Sequence, residues 1–285
     1  MMLNRQIVVR LIGGLGNQLF QIQYAMSLQE KIGGIIQIDD SFLAESSKSH
    51  EKLAFTALNY PFEIIRLGWF DLKVKRVIER IFYKFRLSVP KIFHPIYFFE
   101  NTEIDYEGIS RIIIDGFWQD ASHLRESFIK SVRKKIANNS LLENRQMDNL
   151  ICVHIRRGDY LTNKHWGVKQ QIPASLDYYL QAFDFFEKAL SNPLFEIYTD
   201  DEIWALEKFG TKANVRVVQS KKLPPLQLLS TMANYENYVI ANSSLSWWAA
   251  VLSKNNQKKV VMPNRWSIKH DSKKFQLPGW VILPG

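Results

Sequence analysis

Short apolar runs alternate with helix-patterned stretches along most of this chain, and that rhythm restricts the fold more than any other feature. Arg5 to Ile12 reads as a strand, Gly13-Gly14-Leu15-Gly16 as a turn, and Leu19, Phe20, Ile22, Tyr24 and Leu28 fall at helical spacing. Gly33-Gly34 breaks that pattern, and Ile35 to Ile38 reads as a second strand ending at Asp39-Asp40, which completes a βαβ unit. A polar loop covers Ala44 to Lys52, a short strand Ile112 to Ile114, and a charged helix His123 to about Ile136. The polar stretch Asn138 to Asn149 reads as a linker between domains spanning 1–145 and 146–285.

Beyond it the alternation resumes. Strands are expected at Leu150 to Ile155, Phe195 to Tyr198, Val215 to Val218, Tyr238 to Ala241 and Val260 to Met262. Helices are expected at Ser175 to Leu190, Ile203 to Lys208, Pro225 to Ala233 and Trp247 to Leu252. Strands this short and apolar on both faces belong to parallel sheets covered by helices on both sides. The expected class is α/β: two Rossmann-like, doubly wound domains facing across a cleft. In such sheets ligands bind beyond the carboxyl ends of the strands, where every polar cluster of this chain sits.

Composition narrows the chemistry. The chain has 285 residues, 46% hydrophobic and 23% charged, as an ordinary globular protein does. Its net charge of +9 suits an acidic partner: nucleic acid, a phosphorylated metabolite or an anionic membrane face. The one cysteine, Cys152, cannot form an internal disulfide, which points to a reducing compartment, and it excludes a multi-cysteine zinc site. Its place in an apolar run makes it a small buried side chain. No signal-peptide core or membrane-length apolar run is read. Between Arg66 and Lys91, eight Lys/Arg stand against two acidic residues, and Lys73, Arg76, Arg80 and Lys84 line one face of a predicted helix over 73–86. That face either meets solvent or contacts an anionic membrane or an acidic acceptor.

Four clusters carry the chemistry. Gly14, Gly16, Asn17 and Gln18 form a turn whose backbone could approach an anion, or merely pack helix on strand. The third glycine of a dinucleotide fingerprint is missing, since Leu19 stands there. His154-Ile155-Arg156-Arg157-Gly158-Asp159-Tyr160 follows a strand. Alternation puts His154 and Arg156 on one face, where Arg156 could fork onto a phosphate, leaving Arg157 to pair with Asp159 or another carboxylate. Tyr198-Thr199-Asp200-Asp201 could contact a nucleoside, cap a helix or hold a metal. Asn242-Ser243-Ser244-Leu245-Ser246-Trp247-Trp248 offers hydroxyls at a helix N-terminus, with the tryptophans either in the core or walling a ligand.

These four clusters, in this order, resemble glycosyltransferase family 11, the α-1,2-fucosyltransferases, and more distantly the protein O-fucosyltransferases. The resemblance implies a GT-B fold, an acceptor-binding first domain and a GDP-fucose-binding second one. It further implies inverting transfer to the 2-OH of a galactose-containing glycan, no cofactor and no metal, as in the bacterial members that build lipopolysaccharide O-antigen. Arg156, Asp159 and Asn17 are then the catalytic candidates. The donor would meet Gly14, Gly16, His154, Arg156, Arg157, Asp200, Ser243, Ser244, Ser246 and Trp247. Asp159 is a weak candidate base because pairing with Arg157 would lower its basicity; Asp115 and Asp120 are alternatives. The expected location is cytoplasmic, at the inner membrane through the basic helix, with no nucleic-acid partner. Still open beside this are a transferase of another nucleotide sugar and a non-catalytic binder of nucleic acid or phosphorylated ligands.

Overall fold

The computed structural model describes residues 5–45, 54–68, 96–98, 109–139, 149–162, 172–268 and 270–285. Contacts divide the chain into two units, Met1–Phe128 and Ile129–Gly285.

In the first unit β1 (Gln6–Arg10) leads through the glycine turn into α1 (Leu15–Ile32), and β2 (Ile35–Asp39) returns parallel to β1. The short helix α2 (Ser41–Glu45) starts the stretch read as a loop. Strands β3 (Glu63–Ile65), β4 (Ile96–Phe98) and β5 (Arg111–Ile114) complete a parallel sheet in the order β3-β2-β1-β5-β4. Apolar strand residues such as Ile7, Val8, Val9, Ile112, Ile113 and Ile114 are fully buried, as a sheet covered on both faces requires. β5 pairs with β1 on the side away from β2, so the loops after β1 and β5 leave neighbouring strand ends.

Helix α3 (Glu126–Ile136) contains the division between units. Its second half is tied into the second unit: Arg133 donates to the carbonyls of Val251, Leu252 and Ser253, and Ser230 donates to that of Ile136. The contact division falls inside α3, ahead of the sequence boundary at 145/146. The linker residues 140–148 and the basic helix over 73–86 lie outside the described residues.

The second unit follows the expected alternation closely. After β6 (Leu150–Ile155) come the one-turn α4 (Gly158–Thr162), α5 (Leu176–Ala189) and β7 (Leu194–Thr199). Then follow α6 (Glu202–Phe209), β8 (Val215–Val217), α7 (Pro225–Met232), β9 (Asn237–Val239), α8 (Ser244–Leu252), β10 (Val260–Pro263) and β11 (Val281–Leu283). The strands pair in parallel in the order β11-β10-β9-β6-β7-β8, a doubly wound sheet whose direction reverses between β6 and β9. Ile151, Val153 and Ile155 pack with Tyr178, Tyr179, Phe183 and Phe186 of α5. On the opposite face Cys152 lies near Glu196, whose carboxylate accepts from Tyr235, while Tyr198 and Tyr235 join hydroxyls at 2.8 Å. Burial first, then the Glu196 charge, pushes the Cys152 thiol well up, so it stays protonated and unreactive.

The ends of β1, β2 and β5 carry a buried ion group. Arg10 reaches Asp39 at 3.8 Å and Asp115 at 3.4 Å, and the aspartates are 0% and 3% exposed. Asp39 also accepts from the Ser41 and Leu67 amides and the Ser41 hydroxyl, which fixes the segments after β2 and β3. Removing the cation strands two buried carboxylates. Arg10→Met is expected to destabilise the protein by about 3–5 kcal/mol in a chemical denaturation curve.

Candidate functional site

The register of β6 on β7 builds the center of the site. His154 pairs with Tyr198 and Ile155 with Thr199, so one step further Arg156 stands beside Asp200 and Arg157 beside Asp201. The side chains pair in that order: Arg156 Nη1 to Asp200 Oδ2 at 3.2 Å, and Arg157 Nε to Asp201 Oδ2 at 3.4 Å. Asp200 Oδ1 also accepts the backbone N–H groups of Arg157 (2.9 Å) and Gly158 (3.1 Å). A Cβ at Gly158 would come within 3.2 Å of that carboxylate, which is why a glycine stands there. Asp200, expected at a nucleoside, thus turns both oxygens to the turn after β6.

The two arginines are held differently, as the alternation implied. Arg157 lies 4.0 Å over the ring of Trp204 besides its bond to Asp201, so its charge belongs to the scaffold. It pairs with Asp201, a carboxylate from the neighbouring strand end. Asp201 also caps α6, accepting from the Trp204 amide at 3.2 Å, which is the cap reading of that residue. Arg156 is a quarter exposed and 5.9 Å from the Tyr160 ring. The side chain of Asp159 is outside the described residues.

The turn after β6 meets the loop after β9. Tyr160 donates to the Asn242 carbonyl at 2.9 Å, and Tyr178 to that of Ile240 at 2.6 Å, which fixes both sides of the switch point. Asn242 in turn donates to Ile172 and Trp266. Ser243 then opens α8 with extended backbone and no side-chain cap bond. The first N–H groups of a helix have no intrahelical acceptor, so the start of α8 and Arg156 offer donors to an anion at the carboxyl end of this sheet. Ser246 is buried and donates to the Ser243 carbonyl. Trp247 is 0% exposed and gives its indole N–H to Phe275. Expected against a ligand, Ser246 and Trp247 instead form the root of α8, since a doubly covered sheet buries the helix face they occupy.

His154 is 5% exposed, and its Nδ1 has no hydrogen-bond partner among the described residues. Burial, reinforced by the Arg156 cation and opposed by Asp200, lowers its pKa to about 4, so the imidazole is neutral at physiological pH.

In the first unit the glycine turn is rigid for reasons of its own. Gly13 has φ +74, and a Cβ there would collide with the Asn17 amide. Gln18 is fully buried: it donates to Gly13 (2.8 Å) and accepts from Phe55 (3.0 Å), as the packing role of the turn requires. Asn17 accepts from Gln119 at 2.7 Å. Gly14 precedes α1 as its N-cap, and Gly16 is buried within the helix. After β5, Asp115 pairs with Arg10, and Asp120 caps a short 3-10 turn by accepting from Ser122. Between them Trp118 holds φ +54, a conformation costing a non-glycine about 1 kcal/mol or more.

Sequence reasoning missed Trp204, Gln119 and the role of Asn242. Trp204 had a signal, as the residue three after a capping aspartate; the others are bound only through the tertiary fold. Among the described residues no group of three or more His, Cys, Asp or Glu side chains is set to hold a metal ion, and no helix is long and apolar enough to cross a membrane.

The model of Glycosyl transferase family 11 matches residues 96–284. The O-antigen biosynthesis glycosyltransferase WbnK of Escherichia coli is 28% identical, over 96% of this chain and 99% of its own. An alpha-1,2-colitosyltransferase, also of Escherichia coli, is 26% identical, over 94% and 95%. The crystal structure of the fucosyltransferase NodZ from Bradyrhizobium is similar in fold, with TM-score 0.50 and 17% identity over 87% of this chain and 93% of that one.

Two outcomes are expected. Above pH ~6.5 neutral His154 costs nothing. As pH falls toward ~4 the unfolded chain binds a proton the buried imidazole refuses, and stability drops by roughly 3 kcal/mol. Denaturation curves across that range should show the drop, flattened in His154→Gln. Asp200→Ala, which frees two backbone N–H groups and one guanidinium, should lose about 1–3 kcal/mol of stability, with Asp200→Asn keeping part of it through its carbonyl.

Proposed function

The chain belongs to glycosyl transferase family 11, and on that premise we propose that it transfers L-fucose from GDP-β-L-fucose to the 2-OH of a galactoside, with inversion and without a metal, during O-antigen synthesis. The observation that carries this reading is Arg156 at the switch point of the second sheet, beside the start of α8. The bond from the sugar C1 to the diphosphate breaks, the electron pair leaves with GDP, and C1 bonds to the acceptor oxygen. Arg156 and the N–H groups of α8 stabilise the growing negative charge. The acceptor proton passes to a carboxylate, for which Asp159 is the motif's own candidate. Donor binding falls to the second unit, with His154, Ser243 and Ser244 lining the same strand ends. Acceptor binding falls to the first, where Asn17 stands beside the loop after β5. Peripheral contact with an anionic membrane through the basic stretch 73–86 fits a lipid-linked acceptor.

Support for GDP comes from NodZ, an alpha-1,6-fucosyltransferase co-crystallised with it, and for the O-antigen setting from the WbnK relative. A second reading has colitose as the transferred sugar, favoured by the alpha-1,2-colitosyltransferase relative.

Thermal shift against GDP, UDP, ADP and CMP should single out GDP. Purified protein given GDP-fucose and lactose in the presence of EDTA should yield an α-1,2-fucoside identified by NMR. Transfer from GDP-colitose alone would establish the second reading, and transfer from neither would overturn both. Arg156→Ala should cut turnover by about 10²-fold or more with the melting temperature little changed; wild-type activity in this variant would remove its diphosphate role.

A further inference from the structure

The loop after β5 is immobilised on both sides of one projecting ring. The Gly116 carbonyl, at a residue with φ +140, accepts from Gln21 at 2.8 Å. The Trp118 indole is stacked on Tyr24 at 3.9 Å and 12°, and its carbonyl accepts from the Asp120 amide at 3.1 Å. Gln119 is anchored to Asn17. Between these fixed points Phe117 stands 42% exposed, although its neighbour Trp118 is buried in a left-handed conformation. Backbone of that kind persists only where its surroundings over-determine it, and it gathers at ligand sites. Here one indole is turned inward and the neighbouring ring outward, at the carboxyl end of β5, the strand beside β1.

We propose that Phe117 is the stacking platform for the acceptor sugar, receiving the apolar C–H face of a neutral pyranose while the hydroxyls face the polar rim. This deepens the transferase reading above and rests on it for the identity of the sugar. A rigid ring suits the task because no side-chain or loop ordering has to be added on binding. An aromatic face covers a sugar's C–H groups, whereas a fixed carboxylate or guanidinium would select a charge. The side chains that fix the loop on either side of Phe117 are the amides of Gln21, Gln119 and Asn17, with the Asp120 carboxylate turned to the following 3-10 turn.

The test is saturation-transfer NMR on the full chain in the presence of GDP, with lactose as probe, for wild type, Phe117→Ala and Phe117→Trp. Wild type should transfer saturation to the galactose ring C–H protons. Phe117→Ala should weaken lactose binding about tenfold or more, and Phe117→Trp should restore it. In turnover assays KM for lactose should follow the same order, with KM for the nucleotide sugar unmoved, a split that general loss of structure would not produce. Equal lactose binding by wild type and Phe117→Ala, or no saturation transfer in wild type, overturns the proposal. Lactose bound through Phe117 by a protein that transfers no fucose would uphold it and sink the fucosyltransferase reading. Normal transfer by Phe117→Ala with an unchanged KM for lactose would do the reverse.

Discussion

The carboxylate of Asp200 does most to shape the second unit's switch point. It accepts two successive backbone N–H groups after β6 and faces the guanidinium of Arg156, so three donors that could point elsewhere converge on one place. The strand register makes this possible, since parallel pairing of β6 with β7 sets the two residues side by side. With the turn fixed, Tyr160 can reach the loop after β9, and the start of α8 is set against it. Charged and dipolar groups are thereby held in place at the end of a sheet without any ligand to order them.

Much of the architecture was legible in the sequence because two-sided burial writes itself as short apolar runs. The strand β6 was read to the residue, and α5 to within one residue at each end. Register was not legible. Arg156 and Arg157 could be told apart by alternation, yet the carboxylate that takes Arg157 was left open, and it is the strand pairing that brings Asp201 to it. Nor could the jobs of Asp200 and Trp247 be read, because a polar residue at a strand end and an aromatic at a helix start look alike whether they meet a ligand or the core. Trp247 went to the core because α8 is buried through most of its length. The α/β class with two doubly wound parallel sheets, of GT-B type, is as the strand rhythm and the family resemblance foretold.

The glutamines of α1 show why a polar motif can be structural. Loops leaving a parallel sheet carry backbone groups that no neighbouring strand can satisfy. Gln18 and Gln21 reach Gly13, Phe55, Ile12 and Gly116, and Gln23 donates to His123. Buried amides have both a donor and an acceptor, so one side chain can join two loops. The same bonds let the chain sustain the left-handed backbone at Trp118.

The arginine at the end of β1 has a counterpart. Arg10 pairs with Asp39 across the first two strands of one sheet, as Arg156 does with Asp200 across the first two of the other. The halves differ in their sums. In the first, two buried carboxylates enclose one guanidinium and leave an excess of negative charge. In the second, two carboxylates face two guanidiniums, and one of those is partly open to solvent. Two parallel sheets thereby end in ion groups of different charge. One extra carboxylate, Asp115, makes the difference.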